Sequence, residues 1–133
     1  MTPLNNILLI DDDSTTNLLN EIHIQNLGIT NKITILDSAV KALDLIFEQN
    51  VHSDLIFLDL NMPVMNGWQF LEEYCARCKG QKSKIIILTA SINPSDKEKA
   101  VNDSCVLDFV SKPLNKDKIM NLMATYENSL LNS

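Results

Sequence analysis

Apolar residues cluster along the chain in two distinct rhythms. Three short runs are continuously apolar: Ile7–Ile10, Leu55–Leu58 and residues 85–88. Runs of four such residues, partly β-branched, read as strands buried on both faces of a parallel sheet. A fourth run, residues 32–36, alternates polar and apolar positions, which suits an edge strand. A fifth, Phe109-Val110, is shorter. Between these runs the period changes to that of a helix. Leu18, Leu19 and Ile22 share one face of residues 15–27. Ala39, Leu43, Ile46 and Phe47 do so in residues 39–49, and Phe70, Leu71, Tyr74 and Cys78 in residues 68–78. Ile119, Leu122, Met123, Tyr126 and Leu130 form a regular 3.6-residue stripe in residues 115–130. The remaining helix opens on Asn93-Pro94-Ser95-Asp96, a cap followed by Pro in the first position and an acid in the first turn.

A strand followed by a helix thus recurs five times. That order predicts an α/β fold, a parallel sheet with helices on both faces and right-handed crossovers. No linker interrupts it, and 133 residues fit a single domain. In open sheets of this kind, ligands bind beyond the carboxyl ends of the strands. The residues just after each strand are therefore the candidates for chemistry.

Composition narrows the function. Hydrophobic residues make up 45% of the chain, which excludes a disordered segment. Eleven Lys and Arg against 17 Asp and Glu give a net charge of −6, which argues against nucleic acid as a partner. No apolar stretch approaches the roughly 18 residues of a membrane span, and no signal peptide is visible. Three cysteines, Cys75, Cys78 and Cys105, read as reduced thiols of a cytoplasmic protein, with the Cys75-x-x-Cys78 pair as ordinary helical residues.

The strand ends gather acids. The first strand ends in Asp11-Asp12-Asp13 and the third in Asp59. The fourth ends in Thr89-Ala90 and the fifth in Ser111-Lys112-Pro113. Crowded carboxylates raise one another's pKa values, so a cation is expected among them. Mg²⁺ suits a site of hard oxygen ligands. A carboxylate beside Mg²⁺ and a lysine is also placed to accept a phosphoryl group.

These residues resemble the receiver domain of the two-component response-regulator family. The matching pieces are residues 7–12, residues 55–67 (L-I-F-L-D-L-N-M-P-V-M-N-G), Thr89-Ala90, and residues 109–113, in the family's order and spacing. The resemblance implies the flavodoxin-like (βα)5 fold, a doubly wound five-stranded parallel sheet of order 2-1-3-4-5. It implies that Asp59 is the phosphoacceptor. Asp11, Asp12, Asp59 and the backbone carbonyl of Asn61 would hold Mg²⁺. Lys112 would pair with the phosphate, and Thr89 would swing its hydroxyl onto it beside the small Ala90. Phe109 would be the aromatic switch residue, and Pro113 would follow a cis peptide bond. The donor would be a sensor histidine kinase or a phosphotransfer protein. The face made by the fourth helix, fifth strand and fifth helix would bind a downstream protein. With nothing left after the fifth helix for an effector, the chain resembles a stand-alone receiver, CheY-like in type, and a signalling module rather than an enzyme.

Two other readings stand beside this one. Asp11-x-Asp13-x-Thr15 also matches the opening motif of haloacid-dehalogenase-like phosphatases, with Asp11 as nucleophile and Asp13 as general acid. That reading leaves Asp59 and its motif without a role. Asp13 also reads as a helix cap, as acids after strands often do.

Overall fold

The computed structural model describes residues 2–90 and 93–131. Five parallel strands, β1 (Ile7–Ile10), β2 (Ile33–Leu36), β3 (Leu55–Leu58), β4 (Lys84–Thr89) and β5 (Val106–Ser111), form one sheet. Their order is β2-β1-β3-β4-β5, as the resemblance implied. Four helices connect them, α1 (Ser14–Leu27), α2 (Ala39–Leu43), α3 (Gly67–Arg77) and α4 (Pro94–Val101), and α5 (Lys116–Leu131) follows β5. Helix α2 runs on as a π-helical turn over Asp44–Glu48.

The continuous apolar runs are explained by two-sided burial. Leu8, Ile10, Ile56, Leu58, Ile85 and Ile87 point to the face covered by α2, α3 and α4, where Ala42, Phe70, Tyr74 and Ala100 meet them. Ile7, Leu9, Leu55, Phe57, Ile86 and Leu88 point the other way, against Ile24 of α1 and Ile119, Leu122 and Met123 of α5. Successive strand residues face opposite sides, so a strand covered on both needs an apolar residue at every position. The alternating β2 lies at one edge, as predicted. β5 is six half-buried residues at the other edge, longer than Phe109-Val110 indicates.

Caps set the helix starts. Asn93 Oδ1 accepts from the Asp96 N–H at 2.7 Å, with Pro94 in the first turn. Asn66 and Gln69 form a reciprocal capping box on α3.

One helix face takes an orientation its pattern did not specify, and one expectation is corrected. The stripe Leu18, Leu19 and Ile22 faces solvent, 55%, 49% and 42% exposed, while α1 buries Asn17, Asn20 and Ile24. The reason lies at the strand ends: the Asn17 side-chain N–H donates to the Asp11 carbonyl at 2.7 Å, turning that face inward. The cysteines are also not all reduced thiols. Cys75 of α3 and Cys105, just before β5, are disulfide-bonded, and Cys78 is free. They lie 30 residues apart in sequence, and only the packing of the α4–β5 turn against α3 brings them together.

Candidate functional site

Register delivers the site. Ile10 of β1 pairs with Leu58 of β3, Leu58 with Ile87 of β4, and Thr89 with Ser111 of β5. Residues 11, 59, 89 and 112 therefore leave the sheet along one edge. The Asp59 N–H donates to the Ile10 carbonyl at 3.0 Å, and the Lys112 N–H to the Thr89 carbonyl at 2.8 Å. These bonds continue the ladder one residue beyond the strands, to Asp59 and Lys112.

Asp11 and Asp59 are buried, 4% and 5% exposed, while Asp12 is exposed. One carboxylate oxygen from each of the three lies within 4.8 Å of the others. The Lys112 Nζ stands 2.6 Å from Asp11 Oδ2 and 3.6 Å from Asp59 Oδ2. Burial first, and then the charge of Asp11, push the Asp59 carboxyl above its ordinary value of 3.8, and Lys112 pulls the other way. Two buried carboxylates thus share one ammonium, that of Lys112. Three carboxylates, with no sulfur or imidazole among them, are the donor set that Mg²⁺ favours.

The flanking loops hold these groups in place. Asp11 Oδ1 accepts from the Asp13 N–H at 2.9 Å, and Asp59 Oδ1 from the Asn61 N–H at 3.4 Å. The Lys112–Pro113 peptide bond is cis. Lys118 of α5 donates to the Ser111 carbonyl at 2.9 Å and the Pro113 carbonyl at 3.0 Å, fastening the turn that carries Lys112. Between Asp59 and α3 the chain is tight. Gly67 is buried, and a Cβ there would lie 2.6 Å from the Asp59 carbonyl oxygen. Val64 has φ +68° and is 95% exposed, a strained conformation for a β-branched residue beside the site.

The remaining residues singled out from sequence sit around this cluster. Thr89 is fully buried, and its hydroxyl has no hydrogen-bond partner. Ala90 is exposed. Phe109 is half-buried and packs on the α3–α4 side of the sheet. Asp13 is separate: its Oδ1 accepts from the N–H groups of Thr15 and Thr16 at 3.0 and 3.3 Å and caps α1. Those bonds, Thr16's foremost, hold its carboxyl below 3.8. The phosphatase reading required Asp13 as a general acid, and the cap occupies it instead. Sequence reasoning missed Asn17, which lines a small enclosed space with Asn20, Asp11 and Asp59. Its signal was present as Asn17-x-x-Asn20-x-x-x-Ile24, a helical stripe of its own.

Comparison with known proteins places this architecture. A sequence model of the response regulator receiver domain matches residues 7–124. Two-component response regulator 24 of Arabidopsis thaliana is 28% identical over 116 residues, 87% of this chain and 79% of the relative. Hybrid signal transduction histidine kinase C of Dictyostelium discoideum is 31% identical over 145 residues, 96% of this chain and 11% of the kinase. The chain thus spans most of one relative and a small part of the other. A crystal structure of a two component response regulator from Cytophaga hutchinsonii superposes with a TM-score of 0.85 at 29% identity, covering 96% of this chain and 99% of that one. With a match running from the first strand into the fifth helix, this chain belongs to the response regulator receiver domain family.

Proposed function

We propose that this receiver accepts a phosphoryl group on Asp59, with Mg²⁺ held by Asp11, Asp12, Asp59 and the Asn61 carbonyl. Receiver domains are modules of two-component signalling rather than classical enzymes. The observation that carries the reading is the convergence of Asp11, Asp59 and Lys112, with Lys112 within 2.6 and 3.6 Å of the two carboxylates. An Asp59 oxygen attacks phosphorus, the phosphorus–nitrogen bond of a phosphohistidine breaks, and imidazole leaves. Bound Mg²⁺ would supply charge neutralisation on the transferring oxygens. Lys112 offers a second positive charge there. The Thr89 hydroxyl, buried without a partner, has a hydrogen bond to gain by turning onto a phosphate oxygen. Ala90 leaves that approach open, and Phe109, half-buried on β5, is the residue that follows Thr89 inward.

The donor is a sensor histidine kinase or a phosphotransfer protein. The outward stripe of Leu18, Leu19 and Ile22 begins five residues beyond Asp13 and offers it an apolar seat beside the cleft. The face of α4, β5 and α5 binds an unidentified downstream protein. No helix among the described residues is long and apolar enough to cross a membrane, and the net charge of −6 offers nothing to nucleic acid. As a partner of a histidine kinase or phosphotransfer protein, the single receiver domain acts in the cytoplasm on this reading.

The test is intact-mass analysis after incubation with a small phosphodonor. Wild type should gain one phosphoryl group, and removing Mg²⁺ with a chelator should abolish the gain. Uptake by Asp59→Asn at the wild-type rate would overturn the assignment. Steady phosphomonoester turnover, lost in Asp11→Asn but kept in Asp59→Asn, would restore the phosphatase reading.

A further inference from the structure

The Cys75–Cys105 bond lies outside the acidic cleft, and the phosphoryl-transfer reading does not use it. Its position ties together elements that carry the residues of that cleft. Cys75 is in α3, the helix that begins at Gly67, and the Gly67 N–H is held by the Leu60 carbonyl at 3.0 Å, next to Asp59. Cys105 directly precedes β5, the strand that ends at Ser111, one residue before Lys112. The 30-residue segment the bond closes contains all of β4, with Thr89, and all of α4.

The Tyr74 hydroxyl of α3 accepts from the Ser83 N–H at 2.7 Å, ahead of β4, but among the described residues little holds α4 itself to α3. Helix α4 buries Ala100 alone among its eight residues. The Trp68 indole N–H donates to Asp96 at 3.2 Å, and the Lys99 ammonium stands 4.5 Å from the Trp68 ring centre. Partly exposed contacts of this kind are individually weak. The start of β5 is itself irregular: its register on β4 shifts between Ile85 and Ile86, which pair with Val106 and Asp108. A bulged edge strand and a lightly packed helix are elements that open at low free energy.

Both cysteines are half-buried and border an open cavity of about 520 Å³ shared with Trp68, Lys99 and Asp103. A small thiol or disulfide can therefore reach the sulfurs. Their Cα atoms stand 6.7 Å apart, within the span a disulfide bridges without backbone movement.

We propose that Cys75 and Cys105 are a reversible thiol–disulfide site for low-molecular-weight disulfides, and that the bond latches α4 and the start of β5 onto α3. One protein thiolate attacks the small disulfide and expels a thiolate, forming a mixed disulfide. The second protein thiolate attacks that bond and expels the other small thiolate. Two protein thiols become one disulfide, one small disulfide becomes two thiols, and both protons pass to the departing sulfurs. In the latched form α4 is held; in the reduced form it opens. This inference does not depend on phosphoryl transfer, and its test involves none.

The full chain is equilibrated with glutathione disulfide or with reduced glutathione, then alkylated and weighed. One adduct, on Cys78, is expected in the oxidised protein and three in the reduced. Amide hydrogen exchange is then compared between the two forms. Reduction should speed exchange across residues 94–106 by roughly tenfold or more, leaving β1 and β3 unchanged. Cys105→Ser should exchange at the fast rate in both buffers, and Cys78→Ser should behave as wild type. Equal exchange in the two forms would overturn the latch. So would a bond that resists glutathione, or a Cys75–Cys78 bond in place of this one. Asp103 lies close enough to both sulfurs to complete a metal site with them. If the reduced protein holds Zn²⁺ stoichiometrically and resists oxidation, the thiols are metal ligands and the proposal fails.

Discussion

Gly67→Ala probes how closely α3 is built against Asp59, the proposed phosphoacceptor. The Gly67 N–H donates to the Leu60 carbonyl at 3.0 Å, so the helix start cannot back away without losing that bond. An added Cβ would lie 2.6 Å from the Asp59 carbonyl oxygen, 2.8 Å from Leu60 Cα and 3.0 Å from Leu60 Cδ2. The two nearest atoms are backbone and cannot rotate aside. Restoring ordinary contact requires the backbone at residues 59–60 to retreat by about 0.9 Å. Overpacking of this kind costs about 1–3 kcal/mol. Alanine returns at most about 1 kcal/mol of helix propensity, and less at the first helical position. The net loss of about 1–2 kcal/mol lowers the melting temperature of a chain of 133 residues by about 4–7 °C. The displacement also reaches Asp59 and Asn61, so phosphoryl uptake should fall by about 10–100-fold, the usual consequence of misplacing a reacting group by 1 Å. Thermal unfolding, Mg²⁺ titration followed by Trp68 fluorescence, and phosphorylation by mass cover both effects. Gly80→Ala is the control: its φ of +84° brings backbone strain, but nothing lies within 4 Å of its Cβ. It should lose stability with Mg²⁺ binding unchanged. Wild-type melting and uptake in Gly67→Ala would refute the close-approach argument.

Further outcomes follow from the same geometry. Because the Asp59 carboxyl is raised above 3.8 by burial and by Asp11, its favourable contribution to stability is fully present below that value and is lost as pH rises through the folded-state value. Asp59→Asn should therefore be more stable than wild type at neutral pH without metal, with the difference vanishing in acid; denaturant midpoints across pH read this, and a constant difference would count against it. Val64→Asn should stabilise the chain by about 1 kcal/mol, since asparagine tolerates a φ that strains valine; equal or lower stability would place the strain elsewhere. The double variant Leu18→Ser, Leu19→Ser should unfold within about 0.5 kcal/mol of wild type, because both side chains are about half exposed, yet accept phosphate more slowly from a protein donor than from a small one.

The sequence by itself determined much of this protein. Continuous apolar strands can be satisfied only between two helical layers, and the β-α alternation makes the sheet parallel. In a parallel sheet the carboxyl ends of β1, β3, β4 and β5 must then share an edge, and the family resemblance supplied the order 2-1-3-4-5. Asp11, Asp59, Thr89 and Lys112 were legible for that reason, Thr89 ending its strand and the other three standing directly after theirs. The cap of α4 was legible because its signals are local.

Tertiary structure decided the rest. A helical stripe says which residues lie together, not which side meets the sheet. In α1 the stripe of Asn17, Asn20 and Ile24 turns inward because Asn17 bonds the Asp11 carbonyl, and the more apolar stripe is left outside. The pairing of Cys75 with Cys105 depends on where the α4–β5 turn lands, which no spacing encodes. The closeness of Gly67 to Asp59 depends likewise on how α3 seats against its own loop. Local pattern fixes elements and their exposed ends; contacts between elements distant in sequence arise only when packing brings their faces together.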